Sequence, residues 1–93
     1  MGHLDGKIAL VTGASAGIGE QTARILVDAG TRVICAARRL PYLESLAAEL
    51  GDAAIALELD VTNEASVTTL LERLPMDWRD IDILVNNAGH DIG

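Results

Sequence analysis

Three glycines, Gly13, Gly17 and Gly19, follow directly on a short apolar run at residues 8–11, and a helical pattern starts within the same loop. Strand, glycine loop and helix in that order make a cradle for phosphate. Gly13 lets the chain turn sharply off the strand, at φ values that a side chain would strain. Gly17 has no side chain to hold a diphosphate away from the backbone, and Gly19 lets the helix pack close to the strand. The first N–H groups of the helix lack intrahelical partners and lie at its positive end, so an anion suits both conditions. Ser15, inside the loop, can add a hydroxyl. An ordinary tight strand-to-helix turn is the plainer reading; three glycines placed between strand and helix favour the cradle. A second candidate group is Arg38-Arg39, which closes another apolar run. Guanidinium forks match phosphate in geometry and charge, and the plainer reading there is a solvated pair opening a loop.

Such groups meet only if the chain folds to bring them together. Residues 8–12 read as a first strand, apolar as a strand covered on both faces should be. A helix follows over 17–29, with Ile18, Ile25, Leu26 and Ala29 at helical spacing on the buried side and Glu20, Gln21, Arg24 and Asp28 facing out. Gly30 stops it. Residues 31–37 form the second strand. A second helix starts near Pro41, stops at Gly51, and buries Leu40, Leu43, Leu46, Ala47 and Leu50. The third strand spans 53–59. The third helix, 64–74, buries Val67, Leu70, Leu71 and Leu74 and ends before Pro75. Trp78 in the connector is expected to pack across the sheet edge, and 81–85 form the fourth strand. Strands alternating with helices pair parallel through right-handed crossovers. The predicted fold class is α/β, a doubly wound parallel sheet of Rossmann type, partial, with strand order 3-2-1-4. In such a sheet the ligand crevice lies at the carboxyl ends, where the order reverses between strands 1 and 4. Gly13 to Gly19, Arg38-Arg39, Asp60-Val61 and Asn86 to His90 all fall at those ends.

The 93 residues, 49% of them hydrophobic, have the material for one domain with a single core. A formal net charge of −7 speaks against nucleic acid or an anionic membrane as partner, since both want a basic face. An anionic cofactor remains compatible, because at contact distance a few local arginines outweigh a diffuse field. Cys35 is the only cysteine, which permits no internal disulfide and reads as a buried thiol in a reducing compartment. No apolar run approaches the ~20 residues of a membrane span, and the N-terminus shows no signal-peptide core. Gly6 stands where a myristoylation motif wants Ser or Thr. Together these features predict a cytoplasmic protein. His3 reads as a solvated terminal residue.

The glycine spacing separates nucleotide folds. The Rossmann fingerprint is usually G-x-G-x-x-G, and no Gly-Lys-Ser/Thr closes the loop as in a P-loop NTPase. Thr12-Gly13-x-x-x-Gly17-Ile18-Gly19 resembles the classical branch of the short-chain dehydrogenase/reductase family; the extended, epimerase-like branch spaces its glycines G-x-x-G-x-x-G. Asp60-Val61 and Asn86-Asn87-Ala88-Gly89 match two further motifs of that family. The resemblance implies an oxidoreductase that transfers hydride between a nicotinamide cofactor and a carbonyl or secondary alcohol, often as a homo-oligomer. It implies that Gly13, Ser15, Gly17, Ile18, Gly19, Arg38, Arg39, Asp60, Val61, Asn86, Ala88 and Gly89 form the cofactor site. Asp60 would accept from the adenine amino group, and the Asn-Asn-Ala-Gly stretch would brace the sheet centre. Asp60 also reads, with no ligand, as an acidic residue before a helix that Thr62-Asn63 can cap. Dinucleotide folds read the adenosine ribose at the end of the second strand, where a carboxylate suits NAD and an arginine NADP. Ala37 stands where NAD-type family members have Asp, and Arg38 follows it, so NADP is the expected cofactor. His90, beside the last motif, can line a pocket or orient a substrate.

Reducing a carbonyl by hydride also needs a proton donor beside the oxygen and a group that tunes its pKa. The family uses a Ser, a Tyr-x-x-x-Lys pair and a further Asn, all downstream of its Asn-Asn-Ala-Gly motif. Here Tyr42 is the only tyrosine, with Leu46 four residues on, and Lys7 is the only lysine. No residue is therefore assigned to catalysis, and none to a metal. A sheet ending at strand 4 would leave an apolar parallel edge. Residues 1–93 are thus expected to be the N-terminal part of a single NAD(P)-binding Rossmann domain, truncated after strand 4 and inactive alone. The complete enzyme would act on a small carbonyl or alcohol substrate. A non-catalytic nucleotide-binding module and an interaction fragment with a pairing edge are the alternative readings.

Overall fold

Every side chain of Ile8–Thr12 is buried, which requires a central strand covered on both faces. In a computed structural model, which describes residues 5–14 and 17–86, this run is β1 of a four-stranded parallel sheet. β1 pairs with β2 (Arg32–Ala37), Ile8 facing Arg32 and Thr12 facing Ala36. On its other side it pairs with β4 (Ile83–Asn86), Ala9 facing Ile83 and Thr12 facing Asn86. β3 (Ala54–Glu58) lies beyond β2. The order is β3-β2-β1-β4, the doubly wound arrangement the sequence predicts.

Helices α1 (Gly17–Asp28) and α2 (Leu40–Leu50) cover one face. Ala23, Leu43 and Leu46 form a cluster there with Val11, Val33, Cys35 and Ala54 of the sheet. On the opposite face Leu74 and Trp78 pack with Ile8, Leu10, Ile34 and Leu57, after the short helices α3 (Glu64–Thr68) and α4 (Leu70–Arg73). The predicted stripe of α2 holds in full: Leu40, Ala47 and Leu50 pack against the cluster that buries Leu43 and Leu46. Cys35 is buried, as expected.

The stripe of α1 holds at Leu26 and is corrected at Ile18 and Ile25. Gly19 and Ala23 are its buried positions, with Leu26 and Val27 packed alongside, whereas Ile18 and Ile25 are 75% and 67% exposed. A Cβ on Gly19 would lie 2.7 Å from the Gly13 carbonyl carbon, so no branched side chain fits on the inward side of that first turn.

The third helix, expected to run unbroken over 64–74, breaks at Thr69. Its N–H and its hydroxyl both donate to the Ala65 carbonyl, at 3.1 and 2.7 Å, a back-bond that bends helices. Leu74 is buried and Leu70 half-buried as predicted, but Val67 and Leu71 are exposed. Trp78 sits in the core beside residues of the two central strands rather than at the sheet edge, and the Arg32 guanidinium stacks 4.1 Å above its ring. β4 begins two residues later than predicted. The Asp82 carboxylate accepts the Ile8 N–H at 3.0 Å while the Asp82 N–H donates to the Ile8 carbonyl at 2.8 Å. A side chain thus stands where a strand would offer its carbonyl.

Candidate cofactor-binding site at the carboxyl ends of the strands

The four strands end side by side at Thr12, Ala37, Glu58 and Asn86. After β1 the chain turns through Gly13 and Gly17, at φ of 66° and 59°, a left-handed region that L side chains adopt at a cost. A Cβ on Gly17 would meet nothing within 4 Å among the described residues, whereas one on Gly19 would collide with Gly13. The loop is therefore closed toward the helix and open outward at Gly17, which suits a bound diphosphate better than a turn that is merely tight. The Ala14 N–H donates to the Ala36 carbonyl at 3.2 Å and ties the loop to β2. Ile18 lies exposed beside it.

Beyond β2, Ala37 is buried and Arg38 and Arg39 are exposed. Arg39 precedes α2 without a side-chain capping bond. Among the described residues neither guanidinium makes a hydrogen bond or ion pair, so both forks are available to an outside anion.

Beyond β3, the Leu59 N–H donates to the Ala37 carbonyl at 2.8 Å, and the chain leaves the sheet at Asp60. Asp60 Oδ1 accepts from the Thr62 hydroxyl at 2.6 Å and from the Thr62 N–H at 3.0 Å. These bonds hold its carboxyl below the usual range, with the positive charge of Arg38 adding to the effect. Arg38 and Asp60 therefore share one electrostatic neighbourhood. Asn63 caps α3, its Oδ1 accepting from the Ala65 and Ser66 N–H groups at 3.0 and 3.3 Å, as the plainer reading of this stretch expects. Val61 is exposed. At the end of β4, Asn86 Oδ1 accepts the Thr12 hydroxyl at 2.9 Å and braces β4 against β1.

Gly13, Gly17, Ile18, Gly19, Arg38, Arg39, Asp60, Val61 and Asn86 are thus gathered along one edge of the sheet. Ser15, Ala88 and Gly89 lie outside the described residues, as do Asn87, His90 and His3. Sequence reasoning missed the partners beneath these groups: Thr12 under Asn86, and Thr62 and Ser66 under Asp60. A hydroxyl at the last position of a buried strand was the available signal for Thr12.

Known proteins share sequence and fold with most of the chain. Residues 7–93 match the model of the short chain dehydrogenase family, and the chain belongs to that family of oxidoreductases. It is 49% identical over 86 residues to the NADP-dependent 3-hydroxy acid dehydrogenase YdfG of Salmonella typhi, an alignment covering 92% of this chain and 35% of that protein. Serine 3-dehydrogenase of Agrobacterium fabrum is 50% identical over 84 residues, covering 90% of this chain and 34% of the relative. The closed form of serine dehydrogenase complexed with NADP+ shares the fold at a TM-score of 0.83 and 42% identity, covering 92% of this chain and 38% of that one. The chain spans about a third of the length of these relatives. Among the described residues no helix is long and apolar enough to cross a membrane.

Proposed function

We propose that the chain is the N-terminal, cofactor-binding part of an NADP(H)-dependent oxidoreductase that interconverts a carbonyl and a secondary alcohol by hydride transfer. Arg38 carries the reading. It follows a buried Ala37 at the end of β2, has no hydrogen-bonding or ion-pairing side chain among the described residues, and stands where a dinucleotide fold meets the adenosine ribose. An acidic residue there would repel a 2′-phosphate; a free guanidinium binds it. The NADP dependence named for the hydroxy acid dehydrogenase relative supports the same choice.

Each element then has a task. Gly13, Gly17 and Gly19 present backbone N–H groups and the start of α1 to the diphosphate, and Ser15 adds its hydroxyl. Arg38, with Arg39 beside it, takes the 2′-phosphate. Asp60 and Val61 meet the adenine, and Ile18, Asn86, Ala88 and Gly89 line the path toward the nicotinamide. When bound, the reduced nicotinamide supplies the hydride. The proton that the carbonyl oxygen must gain has no donor of the family's kind in these 93 residues, since Tyr42 is exposed on α2 and Lys7 precedes β1. We assign that step to residues of the whole enzyme beyond this stretch. The same observation favours, as a second reading, a nucleotide-binding module without chemistry.

Cofactor titration tests the first reading. NADPH is expected to bind the full-length protein more tightly than NADH, and Arg38→Ala to weaken NADPH about tenfold while NADH changes little. Equal affinity for the two cofactors before mutation overturns the role of Arg38. Oxidation of serine or 3-hydroxypropionate, the substrate class in the relatives' names, separates enzyme from module; residues 1–93 alone are expected to show none.

A further inference from the structure

The loop 59–63, which carries Asp60 and Val61, leaves β3 and enters α3, and one side chain holds both of its feet. Arg73 Nη1 donates to the carbonyl of Glu58, the last residue of β3, at 2.7 Å. Its Nη2 donates to the Ser66 carbonyl in α3 at 2.8 Å. The Ser66 hydroxyl, 3.4 Å from the same nitrogen, accepts the Asp60 N–H at 3.0 Å. Nε reaches the Thr69 hydroxyl at 3.3 Å. Among the described residues no carboxylate pairs with this arginine. All three of its nitrogens serve neutral acceptors around one loop, a task that needs a rigid fork and that lysine cannot perform.

We propose that Arg73 is a positioning residue for the adenine end of the cofactor, acting by clamping the feet of the Asp60 loop; the inference rests on the cofactor reading above. Asp60 Oδ1 is tied to Thr62, so the carboxylate moves with the backbone of the loop. Its other oxygen then faces the adenine only as accurately as Arg73 and Ser66 hold that backbone. Supporting groups of this kind set the geometry of the residues that touch the ligand.

Two fragments of the cofactor separate positioning from folding. Adenosine 2′,5′-bisphosphate contains the adenine end, and reduced nicotinamide mononucleotide lacks it. In the full-length protein, Arg73→Met is expected to weaken the bisphosphate and NADPH about tenfold, with the mononucleotide unchanged and Arg73→Lys in between. Equal weakening of both fragments, or of neither, overturns the proposal and leaves the cofactor reading standing. If Arg73→Met does not fold, Ser66→Ala decides: about a threefold loss on the bisphosphate alone supports the clamp, and no loss overturns it. A wild-type protein that binds neither NADPH nor the bisphosphate removes the cofactor reading and the clamp with it.

Discussion

At the amino ends of the strands, Arg32, Asp77, Arg79, Asp80 and Asp82 line a shallow cleft of about 470 Å³; at the carboxyl ends, Arg38, Arg39 and Asp60 stand around the glycine loop. The first set is largely engaged with its own surroundings. Arg32 Nη1 donates to the Asp77 carbonyl at 2.9 Å and its guanidinium stacks on Trp78. Arg79 Nε donates to the Leu74 carbonyl at 3.0 Å, and the Asp82 carboxylate holds the Ile8 N–H. In the second set both arginines lack side-chain hydrogen bonds among the described residues, and Gly17 leaves open space beside the backbone. Among the described residues a concave surface is present at the amino ends, whereas free hydrogen-bonding capacity on a rigid frame is found at the carboxyl ends, where the proposed cofactor site lies.

Substitutions at the two ends test that contrast. Gly19→Val should have the largest effect, because the branched side chain must displace the Gly13 carbonyl. Urea unfolding is expected to show a loss of about 3 kcal/mol, with NADPH binding abolished. A variant that keeps the wild-type affinity would mean the loop is a turn and not a cradle. Arg32→Ala, at the other end, should cost about 1 kcal/mol through the lost stacking and surface pair and leave NADPH affinity where it was. A cofactor loss comparable to that of Arg38→Ala would dissolve the distinction between the ends.

An effect that is absent at neutral pH is expected between them, at Cys35 in the sheet interior. Burial pushes its thiol up to about 11, from roughly 8.5 for an unperturbed cysteine. The folded-state value is raised, so the stability it contributes is complete below the unfolded value and is lost as pH rises through 11. The urea midpoint should fall across that window, and less steeply in Cys35→Ala. Identical profiles would show that the thiol is not shielded.

Strand order was legible because the strands are short apolar runs divided by glycines and amphipathic helices, and topology rules leave few ways to join them. The gathering of the candidate residues at one end of the sheet followed, since Arg38, Asp60 and Asn86 each come just after such a run. The packing of α1 was legible only in part, at Gly19 and Leu26. Hydrophobicity points to Ile18 and Ile25, but a helix seated this near a strand is admitted through its smallest residues, Gly19 and Ala23. The break at Thr69 was hidden for a related reason: leucine spacing suggests one helix, and the competing hydroxyl bond to Ala65 is set by local geometry. The bonds of Thr12 to Asn86 and of Ser66 to Asp60 escaped notice because they are fixed by register and loop shape.

β1 lies between two strands that stand at very different distances from it along the chain. Its bond from Ile8 to Asp82 closes a loop of 74 residues, while β2 is joined to it by a single helix. Closure entropy grows with loop length, and distant pairings form slowly. As the chain is made, β1 can therefore pair with β2 while its other edge stays bare. An unpaired edge of that kind invites association with the wrong partner. The late ladder starts at Asp82, whose backbone and side chain both bind Ile8. The pairing of β1 with β4 that frames the crevice is thus anchored by an aspartate at the opposite end of the sheet.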